Sequence, residues 1–278
     1  KEMIEKFIEI KTLKSDKNSF SSVYEIRDES NNKSYALKII RGINTPLYDV
    51  IFQREVGALN KLRMCENIVR LEHFEIYHDE KNGKCGRIFL EYIEGENLEQ
   101  YDVIELSNQS KFQLISSMIN AVQVAHENNI IHRDINPRNI MITLDQNVKL
   151  IDFGISKIKD MVNVDTLYQF ATNKYAAPEV RNHSENATEQ SDIYSLGAVI
   201  YYLFTGEEPP LVDEFEHTLE GTGGIDIELK HIIGRMVRKS MNERYANIFE
   251  VKKSFIKLFR RFNKLDRTYI FSLHSGLI

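Results

Sequence analysis

The sequence predicts an α+β protein in two parts: a small antiparallel β-sheet carrying one helix, followed by a larger, mostly α-helical part. Three observations carry this expectation. Short β-type runs separated by turn-rich pieces fill the first ninety or so residues, and beyond "EGEN" apolar residues recur at helical spacing. The chain of 278 residues, 42% of them hydrophobic, is long enough for two lobes with a sizeable core.

The strands read in order as "FIEIKTL", "SSVYEIRD", "KSYALKII", "VRLEHFEIYH" and "GRIFLEYI". Pieces such as "DESNNKS" and "DEKNGKCG" are rich in residues that tolerate turns and join neighbouring strands as hairpins. One helix interrupts them over residues 47–62, where Val50, Ile51, Val56, Leu59 and Leu62 form an apolar stripe. Helical spacing then marks residues 111–128, 189–205, 225–239 and 248–262. The irregular stretch 152–179 between the first two of these is too long for a plain connection and reads as a functional loop. The boundary falls at Glu94 to Glu96, beside Gly95, giving domains 1–94 and 95–278.

A formal net charge of −5 argues against nucleic acid as the main partner. Cys65 and Cys85, with His73 and His78 between them, lack the close paired spacing of a zinc site and read as free thiols of a reducing, cytoplasmic compartment. The longest apolar run, "SLGAVIYYLF", is about half of what a membrane span needs, and no signal peptide is legible.

Chemistry concentrates in an ordered set. Lys38 of "YALK" sits on a predicted strand and Glu55 of "QREV" on the following helix. Asp134 and Asn139 share the loop "IIHRDINPRNIMI", and Asp152 follows the short predicted hairpin in "IMITLDQNVKLIDFG". Phosphoryl transfer needs metal ions held at the phosphates, a cation for their charge and a carboxylate aimed at the attacking hydroxyl. Each role has a candidate.

Together with "YAAPE", "SDIYSLG" and the Arg of "NERYAN", these pieces make the chain resemble a eukaryotic-type protein kinase of the Ser/Thr class over roughly residues 8–262. The resemblance implies a bilobal fold and use of ATP and Mg²⁺. It assigns Lys38 to the α/β-phosphates, Glu55 as its partner, Asp134 as catalytic base, and Asn139 and Asp152 as Mg²⁺ ligands. Adenine would lie between Val23 and Ala36 on one side and Met141 on the other, with the backbone of Glu91 and Ile93 offering hydrogen bonds and Leu90 guarding the back. Glu179 would pair with Arg244, Asp192 would anchor the catalytic loop, and Phe153 would pack on the helix carrying Glu55.

Two departures stand out. Asp16, Asn18 and Ser21 occupy the glycine positions of the family's phosphate-binding loop in "DKNSFSSV", and the Asp16 carboxylate beside a triphosphate predicts weakened ATP affinity. Asn136 replaces the Lys that supports the base in Ser/Thr kinases, a loss of about a few kcal/mol of transition-state stabilisation. Arg138 stands where Tyr kinases carry an Arg that reaches the same region; it either restores that positive charge or pairs with a nearby acid at the surface.

Thr172 matches the Thr of Ser/Thr kinases, whereas Lys174 and Arg138 echo the Tyr-specific pattern. By the resemblance, Arg133 would receive a phosphate on the segment that carries Thr166 and Tyr168, which are otherwise plain loop hydroxyls. The implied partners are a protein substrate and a second copy of the chain for autophosphorylation. The rival readings are a pseudokinase acting as a binding scaffold, a Tyr or dual-specificity kinase, and a small-molecule kinase. At the C-terminus, Phe255, Leu258, Phe259, Phe262 and Leu265 share one helical face, the last core helix of the larger lobe or a partner or membrane-surface helix, and "TYIFSLHSGLI" packs back on the domain.

Overall fold

The computed structural model describes residues 7–15, 21–153, 174–181 and 186–262. Two compact units divide the chain after Glu94.

The first unit is a five-stranded antiparallel sheet in the order β1-β2-β3-β5-β4, from β1 (Phe7–Ser15), β2 (Ser21–Asp28), β3 (Lys33–Ile40), β4 (Leu71–Asp79) and β5 (Gly83–Glu91). The turns predicted from composition close its hairpins, and Asn32 between β2 and β3 takes the left-handed conformation that Asn tolerates. Helix α1 (Pro46–Leu62) starts where Thr45 accepts a hydrogen bond from the Tyr48 amide and Pro46 presets the first turn. Its buried face is Ile51, Phe52, Glu55, Val56, Leu59 and Leu62. Val50 was expected on that face and lies instead 45% exposed, because the contact row runs through Phe52, whose ring covers Gly86 of β5. A Cβ at Gly86 would stand 2.3 Å from that ring.

The second unit opens with a three-stranded ribbon, β6 (Gly95–Asn97), β7 (Ile140–Thr143) and β8 (Val148–Leu150). Gly95 lets β6 press onto β7, since a Cβ there would sit 2.0 Å from the Ile142 carbonyl oxygen. The helices are α2 (Asn108–Glu127), α3 (Pro178–Arg181), α4 (Glu189–Thr205), α5 (Phe215–Gly221), α6 (Ile227–Met236) and α7 (Ile248–Phe262). Ser107 caps α2, which starts at Asn108, three residues before its predicted start, and Asp226 caps α6, whose first residue is Ile227 rather than Ile225. The turns α3 and α5 were not anticipated; at four and seven residues they are too short for a helical stripe.

Helix α4 is the centre of the core, buried on every side from Ser191 to Tyr201. It is fixed by a Thr188/Ser191 capping box and by Gly206 in the left-handed conformation at its end. Helix α7 buries Phe255, Leu258 and Phe259 as expected, whereas Phe262, its last residue, is 47% exposed. Leu265, the C-terminal segment, the loop positions Asp16 and Asn18, and Thr166, Tyr168 and Thr172 lie outside the described residues. Neither Cys65 nor Cys85 is in a disulfide. Among the described residues, no helix is long and apolar enough to cross a membrane.

Candidate active site

In the first unit, β3 runs between β2 and β5, which places Lys38 opposite Val23 on one side and Ile88 on the other. Its ammonium is buried and forms an ion pair with Glu55, itself 2% exposed on the inner face of α1. Glu55 Oε2 is buried without a hydrogen-bond partner among the described residues, so the pair is closed at one carboxylate oxygen only. Ala36 lies two residues before Lys38, opposite Leu90. Glu91 ends β5, its amide bonded to the Arg70 carbonyl at 3.0 Å, and Ile93 follows in the short connection before Gly95.

In the second unit, the loop between α2 and β7 is built around Asp192 of α4. That carboxylate is fully buried and accepts three donors: the backbone amides of His132 and Arg133, each at 2.8 Å, and His126 Nε2 from α2 at 2.9 Å. Two successive amides can converge on one carboxylate because Arg133 adopts φ +70, a strained conformation for a residue with a side chain. Burial pushes the Asp192 carboxyl up, but the hydrogen bond and charge of His126, with the backbone hydrogen bond of His132, outweigh it and hold the group below its ordinary value.

His132 carries the order onward. Its Nε2 is 2.9 Å from the Ile151 carbonyl, which only accepts, and its Nδ1 accepts from the Asp134 amide at 3.2 Å. The ring is therefore a neutral Nε2–H tautomer. Phe153 packs against it with ring centroids 4.7 Å apart, and Asp152 just before it takes φ +57.

Asp134 is held by two neutral amides. Asn136 Nδ2 donates to its Oδ1 at 3.0 Å, and Asn139 Nδ2 donates to its Oδ2 at 2.9 Å. Each amide also donates to the Asp134 carbonyl, at 3.1 and 2.8 Å. Asn136 thus aims the carboxylate as a Lys would, without the positive charge. Because the Asn139 nitrogen is committed to Asp134, its Oδ1 is the atom left over, and it accepts no hydrogen bond among the described residues. Met141 follows on β7, opposite Asn97 and Lys149.

The structure does not bring Arg138 to Asp134. Its Nε donates to both carboxylate oxygens of Glu99 at 2.9 Å, and the side chain is 74% exposed, the surface pairing that the sequence left open. Lys174 likewise pairs with Glu208 at 3.3 Å. Glu179 and Arg244 do meet, in a fork of two bonds at 2.7 and 2.9 Å, and Ser191 adds a third donor to Glu179.

Three participants escaped the sequence reading. His126 had a usable signal, a His on the predicted apolar face of a helix just before the loop. The anchoring role of Asn136 was hidden because an absent Lys reads as a loss. Glu99 is 39 residues from Arg138, and nothing local announces such a pairing.

A family model described as the protein kinase domain matches residues 17–269. The chain belongs to the protein kinase family. The two units are the sheet-bearing and helical parts of this kinase domain, the first holding the Lys38–Glu55 pair and the second the Glu179–Arg244 pair. The domain is 28% identical over 258 residues to serine/threonine-protein kinase PknB of Mycobacterium leprae, covering 86% of this chain and 41% of that protein. It is 30% identical over 217 residues to a probable serine/threonine-protein kinase PknB of Lactococcus lactis, covering 76% and 32%. A probable serine/threonine-protein kinase of Clostridium acetobutylicum is 29% identical over 248 residues, covering 82% and 36%. The kinase domain therefore spans about two fifths or less of the length of these relatives. It is an enzyme domain of the phosphotransferase class, similar to Ser/Thr kinases, in a family that uses ATP and a divalent metal.

The residues fit such a metal. Among the described residues no three His, Cys, Asp or Glu side chains cluster into a cage. Asn139 Oδ1 and the Asp152 carboxylate are hard oxygen donors of the kind suited to an ion that completes its shell with phosphates and water.

Proposed function

We propose that this domain transfers the γ-phosphoryl group of ATP, with Mg²⁺, to Ser or Thr hydroxyls of proteins, itself included, in the cytoplasm. The observation that carries the reading is the setting of Asp134: a carboxylate fixed by two neutral amides, one of which keeps its own oxygen uncommitted. When bound, Mg²⁺ neutralises charge on the phosphates. Asn139 Oδ1 and the Asp152 carboxylate are its proposed ligands. Lys38, steadied by Glu55, binds the α/β-phosphates.

Asp134 accepts the proton of the attacking hydroxyl. Its two amide donors orient it without the added positive charge that would make it a weaker base. Val23, Ala36, Glu91, Ile93 and Met141 are assigned to the nucleotide base. The 1–94 unit is assigned to nucleotide binding and the 95–278 unit to catalysis and substrate. Arg133 Nε is buried without a partner among the described residues, which supports a role in receiving a phosphate on Thr166 or Tyr168.

Intact-mass analysis of purified protein incubated with ATP and Mg²⁺, beside Asp134→Asn, tests the reading. Phosphate gained only by the unmutated protein and mapped to Ser or Thr is the expected result. No gain in either protein, with a generic substrate panel also untouched, moves the domain to the pseudokinase reading that Asn136 and the missing glycines favour.

A further inference from the structure

Arg138 is left without a task by the mechanism above, since Asn136 and Asn139 between them already occupy both oxygens of Asp134. Its placement is nevertheless specific. The residue sits in a 3₁₀ turn, Pro137–Asn139, and its backbone amide donates to Asn136 Oδ1 at 3.0 Å. Asn136 therefore touches the catalytic carboxylate with one end of its amide and the Arg138 backbone with the other.

The side chain is tethered at one nitrogen. A guanidinium carries its N–H donors in a planar fork, and this one spends only its Nε–H, shared between the two oxygens of Glu99. Neither Nη nitrogen has a hydrogen bond among the described residues, and the group faces solvent. Glu99 thus orients the fork by its stem and leaves its outer edge open.

Two tyrosines flank it. The Tyr202 hydroxyl donates to the Glu99 carbonyl at 3.4 Å, and the Tyr175 ring stands edge-on to Tyr202 with centroids 6.4 Å apart. Burial and neighbouring acids keep both hydroxyls protonated, so both are neutral donors. Each of the carboxylates at this face, Glu99 and Glu208, already holds a cation. The donors in surplus are on Arg138.

We infer that Arg138, oriented by Glu99 and walled by Tyr175 and Tyr202, is a specificity-determining residue that takes an anionic side chain of the protein substrate, a carboxylate or an already attached phosphate, a few residues from the phosphoacceptor. The inference rests on the kinase reading of Asp134. An open guanidinium edge matches the paired oxygens of either anion, and such charge-assisted bonds are strong enough to rank substrates.

The test uses peptides with one Ser acceptor and Glu, phosphoserine, Ala or Arg at each flanking position in turn, phosphorylated by the purified protein. At one position the unmutated protein should prefer Glu or phosphoserine to Ala by about tenfold in kcat/KM, and the better of the two identifies the anion. Arg138→Gln should bring that ratio to about one, and Arg138→Glu should turn the preference towards Arg peptides. A ratio that survives in Arg138→Gln overturns the inference. So does an equal loss on every peptide, which would place Arg138 in the common chemistry instead.

If the unmutated protein phosphorylates no peptide, the kinase reading has failed on its own. Fluorescence anisotropy with the same labelled peptides then decides the subsite. Anionic peptides bound by the unmutated protein and lost in Arg138→Gln uphold it; equal binding across the series removes it.

Discussion

Each unit of the chain contains a buried ion pair, and the two are built differently. Arg244 in the second unit is closed on all sides: its nitrogens serve Glu179 and the carbonyls of Arg238, Lys239 and Gln190, while Glu179 takes a further bond from Ser191. Lys38 and Glu55 in the first unit are as deeply buried, yet Glu55 Oε2 has no partner among the described residues. Burying charge is costly unless every polar atom is satisfied. A pair that meets the condition is a structural staple, and one that leaves an atom open is arranged for something besides folding.

Replacing Arg244 by Ala should therefore have the largest effect on stability. It strands the Glu179 carboxylate and several carbonyls at once, and a loss of about 3–5 kcal/mol is expected in denaturant titration. Lys38→Met should act on function instead, lowering phosphoryl transfer about 10²- to 10³-fold in a kinetic assay of the folded fraction, the order of one preorganised electrostatic partner.

A sharper form of the comparison replaces both members of a pair by apolar residues. Lys38→Met with Glu55→Leu should recover most of the unfolding free energy that either single change costs, since the two charges of the pair leave together, and should remain inactive. Arg244→Met with Glu179→Leu should stay destabilised, because three backbone carbonyls lose their donor. Equal recovery of both double variants would erase the distinction between the pairs.

The smallest effect is on pH dependence. Burial raises the Glu179 carboxyl, but the hydrogen bonds and charge of Arg244 prevail and hold it below its ordinary value, as His126 and His132 do for Asp192. Both groups thus stabilise the fold above the usual carboxylate range near about 4, and that contribution fades as pH falls through their depressed folded values. Thermal melts from neutral to acid pH should show Glu179→Gln with a lower melting temperature at neutrality and a shallower decline below pH about 4.

Most of the fold is legible locally. Hairpins announce themselves through turns such as "DESNNKS", and Thr188 to Gly206 frames α4 with a start and a stop signal. Reading fails where tertiary contact decides. Val50 and Phe52 both fit a helical stripe, and only the bare backbone of Gly86 selects Phe52. At the site, single residues were readable from their motifs, including Asp134, Asn139 and the Glu179–Arg244 pair. Their partners were less so: His126 and Asp192 are 66 residues apart, and whether Arg138 faces the base or the surface depends on Glu99, 39 residues away.

Asp192 never touches nucleotide or substrate in this scheme, yet it shapes the peptide that does by filling the concavity made by two consecutive amides. The loop has, in effect, an internal ligand supplied by another helix. In a mutational scan scored by activity alone, Asp192 and Asp134 would look alike. Scored by cellular abundance they should part, Asp192 variants being cleared as misfolded and Asp134 variants accumulating as intact but silent protein.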